Sequence, residues 1–314
     1  MVSVLIVNWN GGAFLWQCIE SLKDHHDGLV EKVIVIDNGS TDRSIMELRG
    51  RVGELPFPLE VVENGKNLGF AAACNIGAAL GASEYFLFLN PDARVYANTL
   101  HRALAFMQDP TNSEVGVVGV QLVDETGTIS RSCCRFPTIG SYLVHIFALN
   151  RLNFFGRIGM RMHDWAHDSS RDVDHVIGAF YLIRQNLFRV LGGFDERFFV
   201  YLEDLDLSLR VRKKGLRTFF LSHVQAFHAG GGASRQVKAL RLFYSLRSRL
   251  LYGFKHFSSP KAWLLLLLTV MVEPLTRSCL ALFQRSGTDF RNIWKAQCLL
   301  VRDLANIVRS GRAS

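Results

Sequence analysis

The sequence predicts an α/β protein with a mostly parallel central sheet, flanking helices and a helical C-terminal region. Two observations carry this prediction. Over the first 120 residues, short continuous apolar runs alternate with segments of helical spacing, and the last 80 residues are basic with helical apolar spacing. Because 49% of the 314 residues are hydrophobic, the chain can bury a full core, which excludes disorder. The length suggests one large domain, or one domain with an appendage.

Strand and helix patterns follow one another in a regular order along the first 120 residues. The predicted elements are the strand Val2–Val7, the helix Phe14–Leu22, the strand Val33–Ile36, the helix Thr41–Leu48, the strand Leu59–Val62, the helix Phe70–Leu80, the strand Tyr85–Leu89 and the helix Leu100–Met107. Continuous apolar strands separated by helices are typical of a parallel sheet that is buried on both faces.

The rest of the chain divides into three stretches. Residues 121–175 are rich in arginine, histidine and aromatic residues, and we expect loops with some helix. Residues 176–234 centre on an acidic cluster. Residues 235–314 carry 14 Lys/Arg against 3 Asp/Glu, whereas residues 1–234 carry 22 against 25. This asymmetry indicates a polyanionic partner, either a membrane surface or nucleic acid. We expect no nucleic acid, because no recognisable RNA- or DNA-binding module accompanies the bases.

Two features favour a cytoplasmic location. The first predicted strand begins at Val2, without a charged leader, a long apolar segment or a small-residue cleavage site. The six cysteines have no metal-type spacing, and Cys133 and Cys134 are adjacent. We therefore expect reduced thiols in the cytoplasm rather than a disulfide framework.

Polar residues follow three of the predicted strands. Asn8 and Asn10 come after the first strand, Asp37 after the second, and Asn90 and Asp92 after the fourth. In an open parallel sheet, ligands bind in the crevice outside the carboxyl ends of the strands. Each residue taken singly could serve only as a turn or a helix cap. Three strands that deliver such residues to one edge favour a ligand site.

The glycines disfavour two common nucleotide-binding classes. Gly11-Gly12 lacks the GxGxxG spacing of a dinucleotide fold, and Gly65-Lys66-Asn67 lacks the preceding glycine and the Ser/Thr of a P-loop. A hydride-transfer enzyme and a P-loop NTPase are therefore disfavoured.

A second cluster combines Glu203, Asp204 and Asp206 at the start of a predicted helix that ends before Gly215. Acids at the beginning of a helix complement its dipole. That explanation does not account for three carboxylates within four positions, where repulsion is costly. A metal, a cationic substrate or a proton-transfer task would use the crowding. Further along, His228 precedes three glycines, which suit a backbone close to phosphate.

Six segments together carry a resemblance to a known family. They are VSVLIVNWN, VIVIDNGSTD, NLGFAAACNIGA, FLFLNPDARV, GAFYLIRQNLFRVLGGFDERFFVYLEDLDLSLRVRKKG and FHAGGGAS, and they cover most of residues 2–234. The chain resembles family 2 glycosyltransferases, especially the bacterial rhamnosyltransferase-like branch. The resemblance implies a GT-A, Rossmann-like catalytic domain over residues 1–234, with nucleotide binding in about 1–120 and acceptor binding in about 121–234. Residues 235–314 would form the helical appendage.

The resemblance also implies a donor pocket and a metal site. Asp37 is similar to the residue that contacts the nucleotide base, with Asn8, Asn10 and Asn67 nearby. Asp92 occupies the last position of the family's DxD motif, where Mg²⁺ or Mn²⁺ would bridge the carboxylate and the two phosphates.

This sequence departs from the DxD motif at its first position, which is Asn90. The site therefore has one negative charge fewer, and we expect weak metal binding without the donor. His228 is similar to the family's later metal or diphosphate contact, and an imidazole suits Mn²⁺ better than Mg²⁺.

Asp204 is similar to the family's catalytic base, and Glu203 is the alternative for that role. The resemblance implies an inverting, metal-dependent transferase that moves a sugar to a hydroxyl of a glycan or polyprenyl-linked acceptor in bacterial cell-surface polysaccharide synthesis. The first donor candidate is dTDP-L-rhamnose. UDP-galactofuranose, UDP-glucose and UDP-N-acetylglucosamine are the alternative donors. A non-catalytic scaffold that binds nucleotide sugar is the other class of function.

The C-terminal stretch Ala262–Val272 is apolar for 11 residues and is followed by Glu273-Pro274. It is too short to span a bilayer, which takes about 20 residues. Flanking bases and aromatics favour a helix in the interface, peripheral at the inner face of the cell membrane and drawn to anionic lipid. The alternative is a helical hairpin that packs on the catalytic domain or on a second subunit, which would make the chain a homo-oligomer.

Overall fold

The computed structural model describes residues 1–149, 157–230 and 237–312. The strands are β1 (Val2–Asn8), β2 (Val30–Asp37), β3 (Leu59–Glu63), β4 (Tyr85–Leu89), β5 (Ala93–Val95), β6 (Val115–Val123), β7 (Ile129–Ser130), β8 (Cys133–Cys134), β9 (Arg171–Val173), β10 (His175–Val176), β11 (Phe180–Arg184) and β12 (Arg217–His228). The α-helices are α1 (Ala13–His25), α2 (Ser44–Arg49), α3 (Phe70–Leu80), α4 (Thr99–Gln108), α5 (Ile139–Ile146), α6 (Gln185–Val190), α7 (Glu203–Lys213), α8 (Lys238–His256), α9 (Ser259–Met271), α10 (Glu273–Phe283) and α11 (Gly287–Arg312). The predicted α/β class and the helical C-terminal region are confirmed.

The main sheet has the strand order β3-β2-β1-β4-β11-β6-β12-β5. Strands β3, β2, β1 and β4 are parallel, as predicted. Beyond β4 the sheet is mixed, because β11 runs antiparallel to both of its neighbours while β6 and β12 are parallel to each other. Every residue of β1, β4 and β6 is buried, so these strands form the centre of the core.

Helix α2 begins three residues later than the predicted Thr41. The side chain of Asp42 accepts hydrogen bonds from the backbone N–H and the hydroxyl of Ser44, at 3.1 and 2.5 Å. The side chain of Asn10 accepts from the N–H groups of Thr41 and Asp42, at 2.7 and 3.3 Å. These bonds hold the preceding loop in a non-helical conformation, as capping side chains do.

The middle of the chain is more regular than expected. The long buried strand β6 runs into the stretch predicted as loops, and β8, β9, β10 and α5 follow within it. The expected helix in this stretch is present as α5, which begins with a capping box between Thr138 and Ser141. Strands β6, β11 and β12 complete the sheet and were not among the predicted elements.

The chain forms two compact units. The first comprises residues 1–135, 165–196 and 203–233, and the second comprises 136–164, 197–202 and 234–314. In the second unit, α8 packs against α9 and α11, and α10 packs against α11. By length and composition alone, one stretch of the described chain, Ser259–Phe283, is long and apolar enough to cross a membrane, although 33% of its most apolar window is buried in the protein.

Candidate functional site

The ends of β1 and β2 bring Asn8 and Asp37 side by side, because the two residues are partners in the parallel ladder. The amide Nδ2 of Asn8 donates to Oδ1 of Asp37 at 2.9 Å, and the backbone N–H of Ser40 donates to Oδ2 at 3.0 Å. Asn8 is fully buried and Asp37 is 4% exposed. Asn8 therefore holds the Asp37 carboxylate in place from beneath the loop.

Asn10 and Asn67, the other two predicted donor residues of this region, both stabilise loops at the same edge. Asn10 has a left-handed backbone (φ 52°), and its side chain accepts from the N–H of Thr41 at 2.7 Å. Asn67 accepts from the N–H of Gly69, the residue before α3, at 2.9 Å. Both side chains are half-buried. The structure thus brings these asparagines to the loops that follow β1 and β3.

The loops after β2 and β3 approach each other closely at Gly39. Gly39 has φ 74°, and a Cβ there would lie 2.8 Å from the Cα of Lys66. Asn38 secures the same approach, since its amide donates to the carbonyl of Gly69 at 3.0 Å. A side chain at position 39 would separate the two loops.

Asp92 and His228 meet across the pairing of β5 with β12. Oδ1 of Asp92 lies 3.3 Å from Nε2 of His228, and Nδ2 of Asn90 lies 3.5 Å from the same nitrogen. Residue 228 is the ladder partner of Ala93, which explains why the two side chains converge. Within the described ranges, no group of three or more His, Cys, Asp or Glu side chains could hold a metal ion. The pair alone offers two metal-ligating groups.

The carboxylate of Asp204 is held by three partners at the start of α7. Oδ2 accepts from the N–H of Gly178 at 2.8 Å and lies 3.5 Å from Nε2 of His175, while Oδ1 accepts from the N–H of Leu205 at 2.8 Å. Burial by itself raises the pKa of Asp204, but His175 and the two N–H donors outweigh it and the net direction is down. Asp204 is therefore an ionised carboxylate at neutral pH.

His175 is the residue of this site that the sequence interpretation missed. Its Nδ1 lies 3.0 Å from the hydroxyl of Ser208, which lies 3.0 Å from the hydroxyl of Tyr181. All three side chains are buried. Ser208 and Tyr181 orient the imidazole of His175 toward Asp204, because a hydrogen-bond partner on Nδ1 fixes the direction in which Nε2 points. Nothing in the spacing along the chain links residue 175 to residue 204.

Glu203 and Asp206, the neighbours of Asp204, have different surroundings. Burial and the charge of Asp204 raise the pKa of Glu203 well above its usual value, and its Oε2 has no hydrogen-bond partner among the described residues. Asp206 accepts from Nε of Arg210 at 2.8 Å, and Arg210 also donates to the carbonyl of Gly193 at 2.8 Å. Asp206 thus stabilises α7, and the two possible bases differ in that the pKa of Glu203 is raised whereas the pKa of Asp204 is lowered.

The Asp92 side and the Asp204 side adjoin at the start of β11. The N–H of Asn90 donates to the carbonyl of Ala179 at 3.1 Å, and the preceding residue, Gly178, binds Asp204. Since β2, β1, β4 and β11 are consecutive in the sheet, Asp37, Asp92 and Asp204 all lie at one edge. This edge combines a fixed carboxyl group, a two-ligand metal candidate and an ionised carboxylate.

Two family patterns match the chain. Glycosyl transferase family 2 matches residues 3–166, and Glycosyl transferase family group 2 matches residues 85–299. An N-acetylglucosaminyl-diphospho-decaprenol L-rhamnosyltransferase of Mycobacterium tuberculosis is 25% identical over 249 residues, which are 73% of this chain and 76% of that protein. The rhamnosyltransferase WbbL of Escherichia coli is 26% identical over 240 residues, 73% of this chain and 82% of that protein.

Solved structures share the fold at low sequence identity. A mannosyltransferase from Pyrobaculum calidifontis, in complex with GDP-Man and Mn²⁺, superposes with a TM-score of 0.55 at 17% identity over 97% of this chain and 87% of its own. S. aureus TarS 1–349, in complex with UDP-GlcNAc, superposes with a TM-score of 0.53 at 15% identity over 97% and 91%. These neighbours confirm the GT-A-like fold. Together with the family matches, they identify the chain as a glycosyltransferase that belongs to glycosyl transferase family 2.

Proposed function

We propose that this chain is an inverting, divalent-metal-dependent transferase that moves a sugar from a nucleoside diphosphate to an acceptor hydroxyl. The observation that carries the proposal is the Asp204 carboxylate. It is kept ionised by His175 and two N–H donors, at the same sheet edge as the Asp92–His228 pair. A binding module has no use for a partly buried carboxylate that is kept deprotonated, whereas a transferase needs a base there.

The bond changes follow from that base. The acceptor oxygen attacks the anomeric carbon, the bond from that carbon to the diphosphate oxygen breaks, and Asp204 takes the hydroxyl proton. The bonding electrons leave with the nucleoside diphosphate. A single displacement of this kind inverts the anomeric configuration.

Asp92 and His228 would hold the divalent ion. Their 3.3 Å separation puts a carboxylate oxygen and an imidazole nitrogen within reach of one ion, and the Asn90 amide lies beside them. When bound, Mg²⁺ or Mn²⁺ offsets the charge on the departing diphosphate. With only Asp92 and His228 to hold it, a divalent ion would bind weakly in the absence of the donor. We favour Mn²⁺ because of the imidazole, and the Pyrobaculum neighbour carries that ion.

The nucleotide would lie along Asp37, which Asn8 holds and the loops of Asn10 and Asn67 surround. The two rhamnosyltransferase relatives support dTDP-L-rhamnose as the first donor to test. The TarS complex with UDP-GlcNAc keeps UDP-sugars as the alternative. The decaprenol-linked acceptor in the name of the Mycobacterium relative supports a polyprenyl-linked glycan as acceptor, and with it a cytoplasmic enzyme at the inner face of the membrane.

Thermal denaturation with dTDP-L-rhamnose, UDP-sugars and GDP-mannose, each with Mg²⁺ or Mn²⁺, tests donor and metal together. A donor that binds the native state raises the melting temperature by mass action. We expect one class of nucleotide sugar to raise the melting temperature, and to do so only in the presence of the metal ion. A panel in which no nucleotide sugar shifts the melting temperature would contradict the proposal.

Two substitutions separate the roles of the carboxylates. Asp204→Asn should keep the metal-dependent donor shift but lower transfer by roughly 10²–10⁴-fold. Asp92→Ala should abolish the shift caused by metal and donor. Asp24→Asn, on the exposed face of α1, is the matched control and should change neither. Near-native transfer by Asp204→Asn would remove that residue from the role of base.

A further inference from the structure

Helices α9 and α10 expose a continuous row of large apolar side chains, the apolar stripe. Its members are 42% to 65% exposed and recur at intervals of three, four, four and seven residues: Leu264, Leu267, Met271, Leu275 and Leu282. These intervals place them on one helical face. Val272, which joins the helices, has αR dihedrals, so the row continues across the junction. Single exposed leucines are ordinary on a protein surface, but a continuous row marks an interaction surface.

The opposite face of α9 and α10 is buried against the rest of the protein. Ala262, Leu265 and Thr269 of α9 are buried, as are Ser278 and Ala281 of α10. The contact with α8 is close, because a Cβ added to Gly253 would lie 2.8 Å from a methyl carbon of Leu265. The segment therefore has one face on the protein and one face on its surroundings.

A buried ion triad at the junction argues against a membrane-spanning helix. Glu273 is 1% exposed and lies 2.5 Å from Arg249 of α8 and 2.7 Å from Arg277. Residue 273 is the fifteenth of the 25 residues that could span. A spanning orientation would carry these charges into hydrocarbon or break the triad, and both are costly. An orientation parallel to the membrane leaves the triad in the protein.

Cations lie at both ends of the apolar stripe. At the α9 end, Lys261 is exposed and the guanidinium of Arg312 lies 5.2 Å from the centre of the Trp263 ring. At the α10 end, Arg285 is exposed two residues beyond Phe283, which is 88% exposed. Bases and aromatics around an apolar face are typical of helices that lie in the interface of an anionic bilayer.

Acids in the same region do not neutralise these cations. Asp289 pairs with Lys238 at 3.4 Å and Asp303 pairs with Arg247 at 2.8 Å, while Glu273 belongs to the triad. Among the described residues, Lys261 and Arg285 have no ion pair. The surface around the apolar stripe is therefore positive.

We infer that the apolar stripe docks this chain on an anionic lipid bilayer, with α9 and α10 parallel to the membrane and immersed by one face. The inference rests on the proposed function, because a polyprenyl-linked acceptor is found only at a membrane. A lipid surface fits better than a second copy of the chain. In a two-fold dimer through the stripe, antiparallel helices would place Lys261 of one copy near Arg285 of the other, and like charges would repel.

Flotation of the purified full chain with lipid vesicles tests the inference. The vesicles contain phosphatidylcholine with phosphatidylglycerol, or phosphatidylcholine alone. We expect binding to the anionic vesicles and weaker binding in high salt. A buried leucine contributes roughly tenfold or more to partitioning, so the double variant Leu267→Gln/Leu275→Gln should bind roughly 100-fold more weakly. The matched control is Met46→Gln/Val190→Gln, whose side chains are 64% and 73% exposed outside the stripe.

Four results would overturn the inference. The first is a wild-type chain that does not float, and the second is a stripe variant that floats like the control. The third is a chain that resists alkaline extraction from vesicles, which would indicate a spanning helix. A stripe variant that changes from dimer to monomer without lipid would assign the stripe to a second copy instead. The metal-dependent donor shift, measured on the same samples, shows separately whether the proposed function holds and whether each variant is folded.

Discussion

Glu273→Gln is a sharp test of how the second unit is stabilised. The substitution keeps the shape of the side chain but removes the charge that faces Arg249 and Arg277. Arg249 is 5% exposed, so its cation would be left buried without its carboxylate. Breaking a buried pair in this way costs about 3–5 kcal/mol of unfolding free energy. At about 2–4 °C per kcal/mol for a chain of more than 150 residues, the melting temperature should fall by roughly 6–20 °C.

Thermal and urea denaturation of the wild-type chain and of the Glu273→Gln variant measure this loss of unfolding free energy. The matched control is Glu54→Gln in the exposed pair with Lys23, which should change stability by no more than about 0.5 kcal/mol. The double variant Arg249→Met/Glu273→Leu should lose less than Glu273→Gln, because no uncompensated charge remains. A loss below about 1 kcal/mol in Glu273→Gln would refute the reasoning.

The same residue has a defined pH dependence. Burial raises the pKa of Glu273, but Arg249 and Arg277 outweigh it and the net direction is down. A carboxyl group whose pKa is lower in the folded state stabilises the fold at pH values above its unfolded pKa of about 4.3. This stability is lost as the pH falls through the folded pKa. His145 of α5 faces Arg277, and burial, with a smaller contribution from Arg249, lowers its pKa to about 4. Glu273→Gln should therefore reduce the loss of stability at acid pH. It should not abolish that loss, because the lowered pKa of His145 also makes the fold less stable as the pH falls.

Three further predictions concern the site. His175→Gln should move the acid limb of the pH–rate profile to higher pH, because His175 helps to lower the pKa of Asp204. An unchanged acid limb would mean that His175 contributes only packing. Glu203→Gln should raise the melting temperature at pH 8 more than at pH 5. The pKa of Glu203 is raised in the fold, so its contribution to stability is lost as pH rises above the unfolded value of about 4.3, and equal shifts at both pH values would contradict this. Asn90→Asp should tighten Mn²⁺ binding in the absence of donor, measured by calorimetry against Asp92→Ala; unchanged affinity would place position 90 outside the metal site.

Much of the site was accessible from the sequence because strand ends and ligand edges coincide. Asn8, Asp37 and Asp92 follow strands that the apolar runs predict, and parallel strands bring their carboxyl ends together. The family resemblance pairs Asp92 with His228, and the structure places them 3.3 Å apart. For Asn8, Asp37 and Asp92 the local pattern and the topology contain the same information, whereas the pairing of Asp92 with His228 rests on the family resemblance.

Other features were out of reach because they depend on contacts between distant segments. His175 and Asp204 are 29 positions apart, and only the placement of β10 beside α7 brings them within 3.5 Å. That proximity lowers the pKa of Asp204, whereas the pKa of Glu203, whose Oε2 has no hydrogen-bond partner among the described residues, is raised.

The sequence by itself determined the α/β class, the polar residues at one sheet edge and the basic, apolar character of the C-terminal region. These properties follow from local periodicity and composition, which need no knowledge of the packing. The tertiary structure alone decided that Glu273 lies in a buried triad, that one face of α9 and α10 stays exposed, and that the pKa of Asp204 is lowered while that of Glu203 is raised. Burial and Coulomb energies depend on distances through space, and those distances exist only once the chain has folded.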